Sequence, residues 1–204
     1  MLEVINLGCL RGERLLFQDI NFRLEPGESL VVTGENGSGK TSLLRMLVGL
    51  TPLFSGSIQW KSRPIDQMVG EYRRELLYCG HPLALKDGLT AVENLHSIAA
   101  LAGETVSLTA VHDALDQCGL NACAPMPVRA LSQGQKRRVH LAKLLLLKRS
   151  LWVLDEPLTA LDVNASRHIV QAIDQHLRSG GIAVLTTHHG LPLAFTPQTI
   201  RVGA

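Results

Sequence analysis

The stretch Gly34-Glu35-Asn36-Gly37-Ser38-Gly39-Lys40-Thr41 matches the pattern G-x-x-x-x-G-K-[ST] in full. Its setting supports the match. The apolar run Leu30-Val31-Val32-Thr33 leads straight into it, and residues 42–49 (SLLRMLVG) follow with helical spacing at Leu43, Leu44, Leu47 and Val48. Gly49 is placed to act as the C-cap of that helix. Strand, glycine-rich loop and helix in this order form an anion cradle. Gly34, Gly37 and Gly39 let the backbone curl so that successive N–H groups face phosphate oxygens, and the helix adds its positive end. Lys40 is expected to reach the outer phosphates and Thr41 to ligate Mg²⁺. Glu35, Asn36, Ser38 and Ser42 complete the stretch expected to touch the phosphates.

Three later fragments fit around this loop. Leu151-Trp152-Val153-Leu154 is a continuous apolar run of the kind that suits a parallel-sheet strand covered on both faces, and it ends in Asp155-Glu156. Successive strand residues alternate faces, so adjacent acids at a strand end can take different tasks. Asp155 is assigned to Mg²⁺, through water, and Glu156 to general-base activation of the attacking water. In Leu131-Ser132-Gln133-Gly134-Gln135, Ser132 stands where a helix N-cap belongs, ahead of a helix expected over 133–147. Its hydroxyl, the Gly134 N–H and the helix end together offer a second anion site, although an ordinary capped helix reads the same way. The fourth fragment is Thr186-Thr187-His188.

The remaining sequence bounds the architecture. A chain of 204 residues with 46% hydrophobic and 19% charged residues suits one domain with an embedded subdomain. A net charge of +2 argues against nucleic acid or an anionic membrane as the main partner. The densest basic stretch, Lys136, Arg137, Arg138, Lys143, Lys148 and Arg149, reads as a solvated helix face or a docking surface. Cys9, Cys79, Cys118 and Cys123 lack CxxC spacing, which favours small buried thiols in a reducing compartment over disulfides. A metal set of Cys118, Cys123 and His112 lacks a further ligand nearby. The opening MLEVINLG contains no secretory signal. Residues 141–154 are broken by Lys143, Lys148 and Arg149 and fall short of the ~20 apolar residues a membrane span needs.

Runs at 15–24 and 30–33 flank Pro26-Gly27, a hairpin-like signal. Helices are expected over 91–101 and 107–118, followed by a loop with Pro125 and Pro127, and a helix over 163–177 with Ile169, Ile173 and Leu177 on one face. Gly180-Gly181 ends that helix, and a last strand is expected over 182–186. The fold class is therefore α/β: a P-loop NTPase with a mostly parallel sheet core, an antiparallel β part and a helical subdomain. The expected core is 1–81 and 148–204, and the helical subdomain about 82–147.

These motifs, in this order over nearly the whole chain, resemble the ABC-type ATPases. That resemblance implies ATP and Mg²⁺ as cofactors, and a homodimer in which Ser132 and Gly134 of one copy close over the γ-phosphate held by the other copy's phosphate loop. It also implies a dimer-contacting loop at Leu158-Thr159-Ala160-Leu161-Asp162 and a γ-phosphate switch at His188. Two positions depart from the family pattern. Arg11 stands where most members stack adenine on an aromatic ring, and an arginine plane can also stack on a base. His81 stands where a glutamine is usual; it can meet Mg²⁺ or water, and its charge can change near neutral pH.

The short length, together with residues 88–96 (GLTAVENLH), 154–164 (LDEPLTALDVN) and 180–189 (GGIAVLTTHH), is most similar to the ATP-binding subunits of haem-export systems in cytochrome c maturation. This implies a translocase-type ATP hydrolase, peripheral on the cytoplasmic face of a bacterial inner membrane. An integral membrane subunit and haem-handling proteins are the implied partners, and nucleic acid is not one. Alternatives on the same motifs are the ATPase of another small transporter, or a nucleotide-gated scaffold that releases a partner. A DNA-maintenance or translation ATPase is argued against by the lack of a coiled-coil insertion and of a strong basic patch.

Overall fold

The computed structural model describes residues 1–187 and 193–203. The chain begins with β1 (Leu2–Arg11), β2 (Arg14–Leu24), β3 (Ser29–Thr33), α1 (Lys40–Leu47), β4 (Ser55–Trp60), β5 (Arg63–Pro64), α2 (Val69–Glu75) and β6 (Leu76–Cys79). It continues through α3 (Ala91–Leu101), α4 (Leu108–Gln117), α5 (Gln133–Leu146), β7 (Leu151–Leu154), α6 (Val163–Arg178), β8 (Ile182–Thr186) and β9 (Gln198–Arg201). Two compact units result. The first comprises Met1–Gly80, Arg149–Pro157 and Ile173–Ala204, and the second His81–Lys148 and Leu158–Ala172. Residues 158–172, placed with the core on sequence grounds, thus fall in the second unit.

The first unit holds two sheets. An antiparallel sheet runs β2-β1-β4-β5, and a parallel one runs β6-β7-β8-β3-β9. This corrects the hairpin-like reading at Pro26-Gly27, because β2 pairs with β1 while β3 pairs with β8 and β9. The burial patterns give the reason. The first four residues of β3 are all buried, as a strand covered on both faces requires, whereas β2 has exposed residues along much of its length. Helix α1 buries Leu43, Leu44, Met46 and Leu47 in one apolar cluster with Leu2, Leu7 and Leu24 of the antiparallel sheet and Leu30, Val32, Val153 and Val184 of the parallel sheet. Each such leucine contributes roughly 1.5–3 kcal/mol of burial free energy.

The end of α1 is a Schellman motif. Val48, not Gly49, is the cap, and Gly49 sits one residue further at φ 68°. Gly49 N–H donates to Met46 O (3.0 Å) and Leu50 N–H to Arg45 O (2.8 Å). Parallel register aligns Cys79 with Leu154, Leu154 with Leu185, and Thr186 with Val32. The C-terminal ends of β6, β7, β8 and β3 therefore finish on one edge, where open α/β sheets bind ligands.

The second unit packs α3, α4 and α5 around Leu95, Val111, Leu115, Val128, Leu131 and Val139. Each helix starts on a side-chain cap. Thr90 and Ser132 form capping boxes with Glu93 and Gln135, and Ser107 accepts from Ala110 N–H. The basic stretch is not a uniformly solvated face, because α5 buries Arg137 and Lys143 together with His140 at a spacing of three residues. Cys9, Cys79 and Cys118 are buried free thiols, whereas Cys123 is a free thiol that is only half-buried, and its sulfur accepts from the Gln135 side-chain amide at 3.1 Å.

Burial, reinforced by Lys143 and Arg137, pushes the His140 imidazole down to about 3. Its folded-state value lies below the unfolded one, so the neutral ring contributes stability that is fully present above the unfolded pKa. That stability is lost as pH falls toward the folded value. The loss attributable to His140 amounts to about 2 kcal/mol on going from about pH 7 to about pH 5. It is expected to disappear in His140→Leu, as measured by urea unfolding at both pH values.

Candidate active site

The phosphate loop takes the form its glycines allow. Gly34 leaves β3 at φ 144°, and a Cβ there would lie 2.4 Å from Val202 O and 2.6 Å from Ser38 Oγ. Gly39 lies at φ 107°, where a Cβ would press on the Phe17 ring at 3.1 Å. Only glycine fits these two positions without strain. Gly39 is also the N-cap of α1; it supplies no side-chain cap bond, and the first turn of α1 carries no acidic residue. The amide-rich helix end is thus left to an external anion.

Lys40 is buried to 7% exposure and folds back over the loop. Its Nζ donates to Gly34 O (2.8 Å) and Glu35 O (3.0 Å). An ammonium has three protons, so one remains beyond those two bonds.

The strand ends bring the acids beside the loop. Thr41 Oγ1 donates to Asp155 Oδ2 at 2.9 Å, joining residues 114 apart in sequence. Thr186 Oγ1 donates to Asp155 Oδ1 at 2.7 Å and accepts from Glu156 N–H at 2.8 Å. Asp155 N–H donates to Cys79 O at 2.7 Å. Asp155 is buried to 2% exposure, and Glu156 turns the chain away from the strand with φ 49°. A non-glycine residue in this left-handed region stores strain of a kind that clusters at functional sites. The donor set of a hydroxyl and a carboxylate suits a hard, oxygen-seeking divalent cation such as Mg²⁺, and the glycine cradle suits a polyphosphate.

The loop residues 34–42, Asp155 and Glu156 are thus together in the first unit. Arg11 is exposed at the end of β1, beside its strand partner Arg14. The second unit carries His81, which is exposed, and Ser132 and Gly134. Ser132 Oγ accepts from Gln135 N–H (3.2 Å), and Gln135 Oε1 accepts from Ser132 N–H (2.8 Å). Because the Ser132 hydroxyl serves the helix as an acceptor, its proton stays available to an outside anion. His188 lies outside the described residues. Thr186 is the residue that sequence reasoning passed over: it stands inside the quoted Thr186-Thr187-His188, but only the parallel register shows that it meets both acids.

A glycine-cradled loop between the buried parallel strand β3 and a helix, with an acidic pair at the end of β7, two places along the same sheet beyond β8, defines a P-loop nucleotide-binding protein. Residues 17–159 match the family model described as "ABC transporter", and the chain belongs to that family. It is 50% identical to the cytochrome c biogenesis ATP-binding export protein CcmA of Pseudomonas aeruginosa, over 100% of both chains. It is also 50% identical to CcmA 1 of Cupriavidus metallidurans, over 100% of this chain and 98% of the relative. Among solved structures, a dimeric ATP-binding cassette in a post-hydrolysis state with ADP and Pi superposes with a TM-score of 0.85 at 22% identity, covering 100% of this chain and 94% of that one. This last likeness concerns the fold.

Proposed function

We propose that this chain is the ATP-binding and ATP-hydrolysing subunit of a membrane ABC complex serving haem export or delivery in cytochrome c maturation. The observation that carries the ATPase reading is the Thr41–Asp155 hydrogen bond, which ties the phosphate loop to the acidic strand end. Full-length likeness to relatives named for cytochrome c biogenesis supports the cargo system.

The amides of residues 34–41 hold the triphosphate, with Lys40 on its outer phosphates. Thr41 and Asp155 would hold Mg²⁺, which supplies neutralisation of the phosphate charge. Glu156 takes a proton from water as the water oxygen attacks the γ-phosphorus; the bond to the β–γ bridging oxygen breaks, leaving ADP and phosphate. Ser132 and Gly134 of a second copy cover the γ-phosphate, His188 contacts it, Arg11 stacks on the base, and His81 faces the metal or its water. No described helix is long and apolar enough to cross a membrane. An integral membrane partner then holds the ATPase at the cytoplasmic face of a bacterial inner membrane, alongside haem-handling proteins.

The test is affinity capture of the tagged chain from native membranes, followed by absorbance spectroscopy and mass spectrometry. Haem absorbance together with an integral membrane partner is the expected result. A partner set unrelated to cytochrome maturation would remove the cargo assignment.

A further inference from the structure

Thr186 ends β8, is fully buried, and sits between the two acids. The direction of its hydrogen bonds follows from the groups involved. A backbone N–H can only donate, so Thr186 Oγ1 must accept from Glu156 N–H at 2.8 Å. Its single hydroxyl proton is then committed to Asp155 Oδ1 at 2.7 Å. Asp155 Oδ2 receives the Thr41 hydroxyl at 2.9 Å, so both carboxylate oxygens are held, each by a different element.

The backbone explains why a side chain is needed here. The β7–β8 ladder ends at Leu154–Leu185, and at φ 49° the chain at Glu156 leaves the strand path. The next amide therefore meets a hydroxyl where a strand would have met a carbonyl. Loss of that hydroxyl strips one hydrogen bond from the carboxylate and one from the backbone of the adjacent general base. Serine can reproduce both bonds; valine, of the same shape, can make neither.

We propose that Thr186 is a positioning residue for ATP hydrolysis, locking the rotamer of Asp155 and the backbone turn at Glu156 through one hydroxyl. This rests on the nucleotide reading above. With Oδ1 held by Thr186, Oδ2 is the carboxylate oxygen on the side of the metal-binding hydroxyl of Thr41.

The test compares Thr186→Val, Thr186→Ser and Thr186→Cys, the last keeping the volume with a much weaker donor. Three quantities are measured: kcat and KM for ATP, melting temperature without nucleotide, and ATP affinity by calorimetry with and without Mg²⁺ in a Glu156→Gln background. Thr186→Val is expected to lower kcat by roughly 10–100-fold, with KM little changed, as loss of partners supporting a metal ligand typically does. In the Glu156→Gln background, the gain in ATP affinity on adding Mg²⁺ should shrink by roughly 10-fold, while metal-free affinity holds. Thr186→Ser should restore both, and Thr186→Cys should fall between.

Wild-type kcat and Mg²⁺ gain in Thr186→Val would overturn the proposal. So would Thr186→Ser being as impaired as Thr186→Val, which would assign the position to packing. Should Thr186→Val fail to fold, wild-type turnover in Thr186→Cys would overturn it instead. Failure of the nucleotide reading looks different: the protein with Thr186 intact then binds no Mg·ATP, and the proposal falls with it.

Discussion

Replacing Lys40 with alanine is expected to abolish nucleotide binding. The ammonium is buried, clamps the loop through Gly34 O and Glu35 O, and is the one cation inside the cradle among the described residues 34–41. Without it the loop carbonyls lose their donor and a bound triphosphate faces no compensating charge. Removing one member of a buried charge pair costs about 3–5 kcal/mol, or roughly 10²–10⁴-fold in affinity. Two measurements check this: titration calorimetry with ATP, and the rise in melting temperature that a ligand of the native state produces. Both signals should vanish in Lys40→Ala while the nucleotide-free protein still unfolds cooperatively. Unchanged ATP affinity would contradict the assignment of the loop.

The second large effect lies at Glu156. Glutamine is isosteric, tolerates the same backbone turn, and leaves the Glu156 N–H bond to Thr186 in place, so the architecture of the strand end should survive. What disappears is the ability to take a proton from water. Glu156→Gln is therefore expected to bind ATP as the wild type does while turnover falls by about 10²-fold or more. Phosphate release over time, beside an equilibrium titration, separates the two quantities. Near wild-type hydrolysis would remove Glu156 from the mechanism.

Much of this site is legible in the sequence because its chemistry is local. The phosphate loop is eight consecutive residues with a forced backbone, and the acidic pair directly follows an apolar run. Strands β7 and β8 and helix α3 begin and end where periodicity and turn residues place them. The less legible parts depend on distant chain segments. Strand β1 is interrupted by bulges between Val4 and Leu10, which blur its alternation, and it pairs with β2 and β4 on either side. The turn at Pro26-Gly27 resembles a hairpin locally, yet β3 finds better cover between β8 and β9. The burial of Arg137 and Lys143 follows from which face of α5 meets neighbouring elements, and a run of basic residues does not reveal that. Thr186 has the same character. In sequence it is one threonine beside another; in the fold it completes a hydrogen-bond path from Thr41 through Asp155 to Glu156.

The central claim is that the amides of residues 34–41 cradle a nucleotide triphosphate which a second copy seals with Ser132 and Gly134. Its most direct test is a crystal structure of the Glu156→Gln protein grown with Mg²⁺ and a non-hydrolysable ATP analogue. The account predicts two copies arranged head to tail, each phosphate loop wrapped around a triphosphate, with Ser132 and Gly134 of the opposing copy against the γ-phosphate. A loop without nucleotide, or one holding nucleotide with no second copy over it at saturating analogue, would contradict the account.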